Sequence, residues 1–207
     1  MNLLECLIGI ALSVLLLNPL LQVSANLIKQ QIAYEKNHMM ALEADRALEL
    51  IGRAIRMAGY QHAQPAQENS SNQDSRKALE LHQTATQNGS DSIVVRHELS
   101  SGADFDCIGN VLTKERTKQG LVHQGFFVNK QSLICQSLDK QGRLQNTTLL
   151  SGVHALRIRE LSDSGSQVQS WQRAYRVRLE MASETSGVDE SKTSRGFERI
   201  FSTRNLR

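Results

Sequence analysis

MNLLECLIGIALSVLLLNPLLQV, residues 1–23, is apolar enough to leave water, apart from one glutamate at position five. No charged residue occurs from Cys6 to Ile28. A helix of about 20 such residues crosses the roughly 30 Å of hydrocarbon in a bilayer. Three amides make its second half less apolar: Asn18, Gln22 and Asn26. The stretch predicts a marginal membrane span whose early carboxylate costs free energy unless a partner offsets it.

Glu5 lies one helical turn from residue one, so an α-amino group at Met1 would lie near the carboxylate on the same helix face. An amine and a carboxylate together enter an apolar surrounding at less cost than either alone. A helix N-terminus also favours a negative charge. The alternative is an incidental charge at the headgroup boundary.

A secretory signal peptide is a second explanation of this segment. Val23 to Ala25, followed by Asn26, resembles a small-residue cleavage site. However, the residues before the apolar run contain no Lys or Arg and carry Glu5, a charge of the wrong sign for a signal peptide. A membrane span is therefore favoured, with cleavage after Ala25 as its rival.

The remaining composition is typical of a soluble globular domain. The chain has 207 residues, enough for one domain of ordinary size and an extension. Charged residues make up 22% and prolines are few, which argues against general disorder. The net charge of +3 does not by itself imply a nucleic-acid partner.

Residues 29–58 are rich in Ala, Leu, Glu, Arg and Met and should continue the helix beyond the apolar segment. Gly59 follows at the position of a left-handed cap. Pro19 should kink or loosen the helix, because it removes the hydrogen bond to the carbonyl of Leu15. A 3-4-3-4-3 spacing places six apolar residues on one helix face: Ala41, Ala44, Leu48, Ile51, Ile55 and Ala58.

A polar stretch at 61–77 predicts an exposed loop, and β structure is indicated after it. A turn at 88–91 leads into a strand at 92–99. Residues 125–128 and 132–135 predict a hairpin around Asn129-Lys130-Gln131. The other predicted strands are 152–161, 197–201 and 171–181, where Trp171, Tyr175, Val177, Leu179 and Met181 alternate with mostly polar residues.

Short strands joined by hairpins, without helices between them, predict an antiparallel sheet that needs one face covered. The apolar helix face is the available cover, so the predicted fold is α+β, a long N-terminal helix packed on an antiparallel β-sheet head. The helix would comprise residues 1–58, with 1–28 in the membrane and 29–58 packed on the head of residues 59–207.

A long helix with an apolar start and Glu5 resembles that of type IV pilins, whose mature chains begin much like MNLLE. The segment ALELIGRAIRMAGYQHA at 47–63 resembles the PilW-type minor pilins. Further matches in that family's order are GSDSIVVRHE, DCIGN, FFVNKQSLIC, LLSGVHALRIRE and the final Arg204-Asn205. The chain departs from the family in lacking a Cys just beyond Tyr60 and in having Cys6.

The resemblance implies a pilin-like fold and a non-catalytic subunit that helps to initiate type IV pilus assembly, at or near the filament tip. Met1 would be the mature, methylated N-terminus left after a short leader is removed, and Glu5 would act in assembly. Before assembly the chain would cross the inner membrane once, with a periplasmic head. The pilus could serve adhesion, twitching motility or DNA uptake.

The partners that the resemblance implies are other minor pilins, the major pilin, a tip adhesin, the prepilin peptidase and the inner-membrane assembly platform. Two alternatives stay open at this point. One is a J-type minor pseudopilin of a type II secretion system, which shares the N-terminal features. The other is a membrane-anchored periplasmic binding module.

Cys107 and Cys135 are the only cysteines of the predicted head, which the resemblance places in the oxidising periplasm. A disulfide between them is therefore expected, and two buried thiols are the alternative. Cys6, in the membrane segment, is expected to be a packed apolar residue.

No pattern in the chain points to catalysis, a metal or a cofactor. Six histidines are scattered without ligand spacing, and no nucleophile-elbow, Walker or glycine-rich dinucleotide motif occurs. The chain is therefore predicted to be neither an enzyme nor a metal protein.

Two arginine pairs share strand faces, Arg157 with Arg159 and Arg176 with Arg178. A solvated sheet face is the plain interpretation, and contact with DNA phosphates is the weaker alternative. Tyr175 falls on the opposite face, as does Trp171, which counts against a base-stacking surface.

Overall fold

The computed structural model describes residues 2–61, 78–86, 89–118, 120–161, 173–182 and 194–206. The chain divides into two compact units, Met1–Leu42 and Glu43–Arg207, and each is described by itself. The loop predicted at 61–77 lies outside the described residues from 62 onward, as does Trp171.

One long helix, α1, spans Leu3–Met57 and has Pro19 inside it. It continues as helix through that proline, and the kink expected there stays a prediction. The cap predicted at Gly59 is confirmed, because this residue has φ of +72°. Its N–H donates a hydrogen bond of 3.1 Å to the carbonyl of Arg96, which attaches the end of the helix segment to the β structure.

The buried positions of α1 lie in the second unit, between Ala44 and Ile55. Five of the six residues predicted to share an apolar face are buried: Ala44, Leu48, Ile51, Ile55 and Ala58. Ala41 belongs to the first unit and is partly exposed. Gly52 widens the buried face, and its backbone lies directly against the ring of Phe201. The 3-4 spacing therefore identified the packed face correctly.

Eight strands are present in the described residues, and they form two antiparallel sheets. The first sheet has the order β1-β2-β3-β4-β5, with β1 Leu79–His82, β2 Ser92–Glu98, β3 Leu121–Asn129, β4 Ser132–Leu138 and β5 Leu144–Ser151. The second has the order β6-β7-β8, with β6 Val153–Leu161, β7 Ala174–Ala182 and β8 Ser194–Ser202. A long N-terminal helix with antiparallel sheets makes the protein α+β, as predicted.

The prediction of a single sheet is wrong, because the chain changes sheets at Gly152. This residue alone connects β5 with β6, and its φ of +76° suits glycine. The N–H of Val153 then donates to the carbonyl of Gln131 at 3.0 Å, instead of continuing the first sheet. Strand β6 packs against β2, β3 and β4, which places the second sheet on the first.

The hairpin between β3 and β4 is confirmed, with a shorter loop than predicted. Asn129 belongs to β3, so only Lys130 and Gln131 form the connection. Their φ values of 46° and 57° are those of a two-residue turn with both residues in the left-handed region, which matches the twist of paired strands.

The core consists of buried side chains from the second half of α1 and from strands of both sheets. In β7 the predicted alternation is confirmed, since Tyr175, Val177, Leu179 and Met181 are buried. The largest side chains that are fully buried include Leu48, Ile51 and Ile55 of α1, Ile93 and Val95 of β2, Phe126 of β3, and Leu156 and Ile158 of β6.

Candidate functional site

The N-terminal end of α1 is capped by the residue that the sequence singled out. Asn2 precedes the first helical residue, and Glu5 is the third residue of the helix. The backbone N–H of Asn2 donates to Oε2 of Glu5 at 3.1 Å, and the N–H of Glu5 donates to the carbonyl of Asn2 at 3.0 Å. This is the carboxylate half of a capping box, and the charge also lies at the positive end of the helix dipole. Met1 lies outside the described residues.

The helix after Glu5 is long and apolar enough to cross a membrane, with a mean hydropathy of 2.1 over its most apolar window and none of that window buried. A signal sequence near an N-terminus would have the same character. Ser13 donates its hydroxyl to the carbonyl of Gly9 at 2.7 Å, so this polar group is satisfied within the helix. Cys6 is a free, exposed cysteine of the same segment.

Cys107 and Cys135 form a disulfide, as expected, with their Cα atoms 6.4 Å apart. Both residues are buried, and Cys135 is wholly inaccessible. The bond ties the loop between β2 and β3 to strand β4. Because it closes a segment with a sequence separation of 28, the loop-entropy relation gives a stabilisation of about 3 to 4 kcal/mol.

The same loop is organised by a buried carboxylate that sequence reasoning missed. Oδ1 of Asp106 accepts hydrogen bonds from the N–H groups of Ile108 (3.0 Å) and Asn110 (2.8 Å). Oδ2 of Asp106 lies 3.1 Å from a terminal guanidinium nitrogen of Arg116. Asp-Cys-Ile-Gly-Asn has the composition of an aspartate-nucleated turn, so its turn residues were the available signal. The disulfide is thus attached to a loop with its own internal hydrogen bonds.

A second buried carboxylate, Asp91, lies between the two sheets and was also missed. It is 0% exposed, and its Oδ1 accepts a hydrogen bond of 2.9 Å from the N–H of Thr84. Its own N–H donates to the carbonyl of Leu156 in β6 at 2.8 Å. The neighbouring Ser90 accepts from the N–H of Leu156 at 3.0 Å. Residues before β2 therefore cover the free edge of β6.

The four arginines of β6 and β7 lie opposite one another in pairs. The register places Arg157 across from Arg178 and Arg159 across from Arg176. Arg178 lies 3.8 Å from Glu180, and Arg159 lies 3.9 Å from Asp91. These carboxylates offset part of the positive charge of the four arginines, which agrees with the interpretation of an ordinary solvated sheet face. The contact with DNA stays an untested alternative.

Among the described residues, no three His, Cys, Asp or Glu side chains are grouped so that they could hold a metal ion. The expectations of no metal and no catalysis remain predictions. Comparison of the chain with models of protein families, with curated proteins and with solved structures found no match.

Proposed function

We propose that the chain is a PilW-type minor pilin, a non-catalytic subunit that takes part in initiating type IV pilus assembly at or near the filament tip. The observation that carries the proposal is the position of Glu5. It is the only charged residue among residues 2–28, and it lies on the first turn of a helix of 55 residues. The same helix ends within a disulfide-bonded β unit.

The proposed role of Glu5 is to pair with the α-amino group of a neighbouring subunit as apolar helices bundle. A lone carboxylate would be costly in such a bundle, whereas a carboxylate paired with an amine is far less so. The pairing would set the relative position of two helices along their length. The cap does not compete with it, because a carboxylate has about four acceptor positions and the Asn2 N–H occupies one of them.

The proposal includes a methylated N-terminus at Met1, a single pass through the inner membrane, and a periplasmic head before assembly. Its partners would be other minor pilins, the major pilin, a tip adhesin, the prepilin peptidase and the inner-membrane assembly platform. The apolar helix supports a membrane anchor, and the disulfide supports an oxidising compartment.

Two substitutions of Glu5 test the proposal in the organism that produces the chain. Glu5→Ala removes both the cap and the charge. Glu5→Gln keeps an oxygen that can accept the Asn2 N–H but removes the charge. Both variants should insert into the membrane, form the disulfide and be methylated at Met1, which mass spectrometry of the mature N-terminus would show. Both should fail to restore surface pili and should co-purify poorly with partner minor pilins.

Normal piliation with Glu5→Gln would contradict the proposal, because the charge would then be dispensable and the cap would be the residue's whole role. A mature chain that begins at Asn26 would also contradict it, since the apolar segment would then be a signal peptide. The same N-terminal helix would suit a J-type minor pseudopilin. Deletion of the gene separates the two, because a pseudopilin would be needed for type II secretion and not for pili.

A further inference from the structure

The outer face of the first sheet carries a row of polar side chains that crosses all five strands. Arg96 of β2 binds Glu80 of β1 through two guanidinium nitrogens, at 2.7 and 3.3 Å. His123 of β3 lies directly opposite Arg96 in the register. An Nε2 contact of 3.2 Å joins His123 to Gln136 of β4, and Gln136 donates in turn to Asn146 of β5 at 3.0 Å. These contacts hold the side chains of the row in fixed positions.

A cleft of about 570 Å³ opens beside this row. Three of its lining residues are cationic: Arg96, Lys118 and Arg143. A fourth, His123, is neutral above pH 6.5, because burial lowers the pKa of its imidazole. In the described part of the chain, no carboxylate lines it. The carboxylates of Glu80 and Asp139 bind Arg96 and Arg143 from outside the lining. These two carboxylates offset part of the charge of Arg96 and Arg143, and the positive charge that remains, mainly that of Lys118, favours an anion.

The cleft also has an apolar part. Leu138 forms a buried part of the lining and is 2% exposed, whereas Leu144 is 58% exposed. The side chain of Leu144 therefore leaves apolar area in contact with water at the edge of the cleft. A bound ligand could cover this area. Clefts of this size, with apolar walls and a few convergent polar groups, are typical of small-molecule sites.

Two segments bring the cationic groups together. The turn Asp139–Arg143 is closed by hydrogen bonds of 2.8 Å from the N–H groups of Gln141 and Arg143 to Oδ1 of Asp139. The same carboxylate accepts a bond of 3.0 Å from Nε of Arg143, which orients this guanidinium. Lys118 lies at the other wall, and its backbone pairs with that of Leu121. Lys118 is exposed and lines the cleft, so its ammonium can reach a ligand there.

We propose that this cleft binds a small organic anion, with a carboxylate or phosphate group between Lys118 and Arg143 and an apolar body against Leu138 and Leu144. The guanidinium of Arg143 can bind an oxyanion through two parallel N–H groups, and Lys118 adds a point charge. The inference does not depend on the proposed role in a pilus. A cleft of this kind would let the head recognise a ligand while the helix anchors the chain.

The test uses the full chain in a non-ionic detergent and ligand-observed NMR titrations. The probes are phenyl phosphate, phenylacetate, inorganic phosphate and benzyl alcohol. The two aromatic anions should bind, and the tighter of them identifies the oxyanion that the site prefers. Inorganic phosphate and benzyl alcohol should each bind at least about tenfold more weakly, because each lacks one half of the recognition.

Lys118→Gln should raise the Kd for the preferred aromatic anion by about tenfold, because one charge-assisted contact is lost. Lys140→Gln is the matched control, since it removes the same charge from the Asp139–Arg143 turn at a residue that does not line the cleft. Arg143→Gln should weaken binding similarly. Arg143→Lys keeps the charge and should retain part of the affinity if the turn stays folded.

Leu144→Ser should weaken the aromatic anion and leave inorganic phosphate unchanged. Circular dichroism and thermal unfolding of each variant would verify that it is folded. Equal affinity of the wild-type chain and Lys118→Gln for the aromatic anions would overturn the proposal. Equal binding of benzyl alcohol and phenylacetate would overturn it as well, because the site would then not select an anion.

Discussion

The backbone N–H of Ile158 donates a hydrogen bond of 2.8 Å to Oδ2 of Asp91, a carboxylate that is completely buried between the two sheets. The other oxygen of Asp91 accepts from the N–H of Thr84, so one side chain satisfies two main-chain donors. A buried charge is tolerated where hydrogen bonds compensate its loss of hydration. Asp91 is therefore a fixed connection between the first sheet and the edge of β6.

Asp91→Asn should destabilise the head, because its amide has one oxygen for two N–H donors and its NH₂ group would face one of them. An unsatisfied buried donor costs about 1 to 3 kcal/mol, which urea unfolding of the full chain in detergent would measure. Asp45→Asn is the control. Asp45 is half exposed and pairs with Arg199, and such surface pairs contribute about 0 to 1 kcal/mol. Equal losses for the two variants would contradict the role given to Asp91.

The disulfide between Cys107 and Cys135 should contribute more to the free energy of unfolding than the hydrogen bonds of Asp91. Replacing Cys107 and Cys135 together by serine should lower the free energy of unfolding by about 3 to 4 kcal/mol, through a less constrained unfolded chain. Cys6→Ser should have no effect, because Cys6 is exposed and outside the bridge. The chain has three cysteines, so thiol labelling of the unreduced, denatured protein should find one reactive group. Three reactive groups would show that the bridge does not form.

Those parts of the fold with strong periodicity were predictable from the sequence. The 3-4 spacing in α1 and the alternation in β7 each select one face, and a face buried against a core has to be apolar. Strand β5 was missed because Gln145, Asn146, Thr147 and Thr148 lie at an exposed sheet edge, where no apolar alternation is required. Strand β1 has only four residues.

The candidate sites also differ in whether a local sequence pattern reveals them. Glu5 stood out because it is a charge in an apolar segment, yet its contact with the Asn2 N–H could not be read from composition. Asp91 and Asp106 looked like ordinary turn residues, because burial depends on contacts such as the one with Ile158, 67 residues away in sequence. The cleft beside Arg96 requires four segments to meet, and no local pattern encodes that meeting.

The free energy of unfolding should fall as the solution is acidified below neutral pH. Burial is the main cause that lowers the pKa of His97 below its ordinary value of 6.5, although its hydrogen bond to the carbonyl of Glu98 acts in the opposite direction. Burial also lowers the pKa of His123, although the contact with Gln136 opposes this. Each histidine takes up its proton more readily when the chain is unfolded. The stabilisation that these two histidines contribute is therefore fully present above pH 6.5. It is lost as the pH falls from there through their folded-state pKa values.

Urea unfolding at several pH values between 5 and 8, with NMR titration of the imidazole signals, would measure this dependence. His97→Gln should reduce the slope of stability against pH. A chain that gains stability as pH falls through this range would contradict the assignment, because the folded state would then bind protons more tightly than the unfolded one.

Gly52→Ala should destabilise the head, although alanine favours a helix by about 1 kcal/mol over glycine. A Cβ at residue 52 would collide with three carbons of the Phe201 ring, and the guanidinium of Arg56, 5.8 Å from the ring centroid, covers that ring as well. Overpacking of this kind costs about 1 to 3 kcal/mol, so the collision should outweigh the helix propensity.

Gly9→Ala is the matched control, because no atom lies within 4 Å of a Cβ at that position. The temperature at which the head unfolds should be unchanged in this control. Adding Phe201→Leu to Gly52→Ala should restore part of the lost stability, because the smaller side chain makes room for the methyl group. A Gly52→Ala head that unfolds at a higher temperature than the wild type would mean that Phe201 does not pack on the helix at this point.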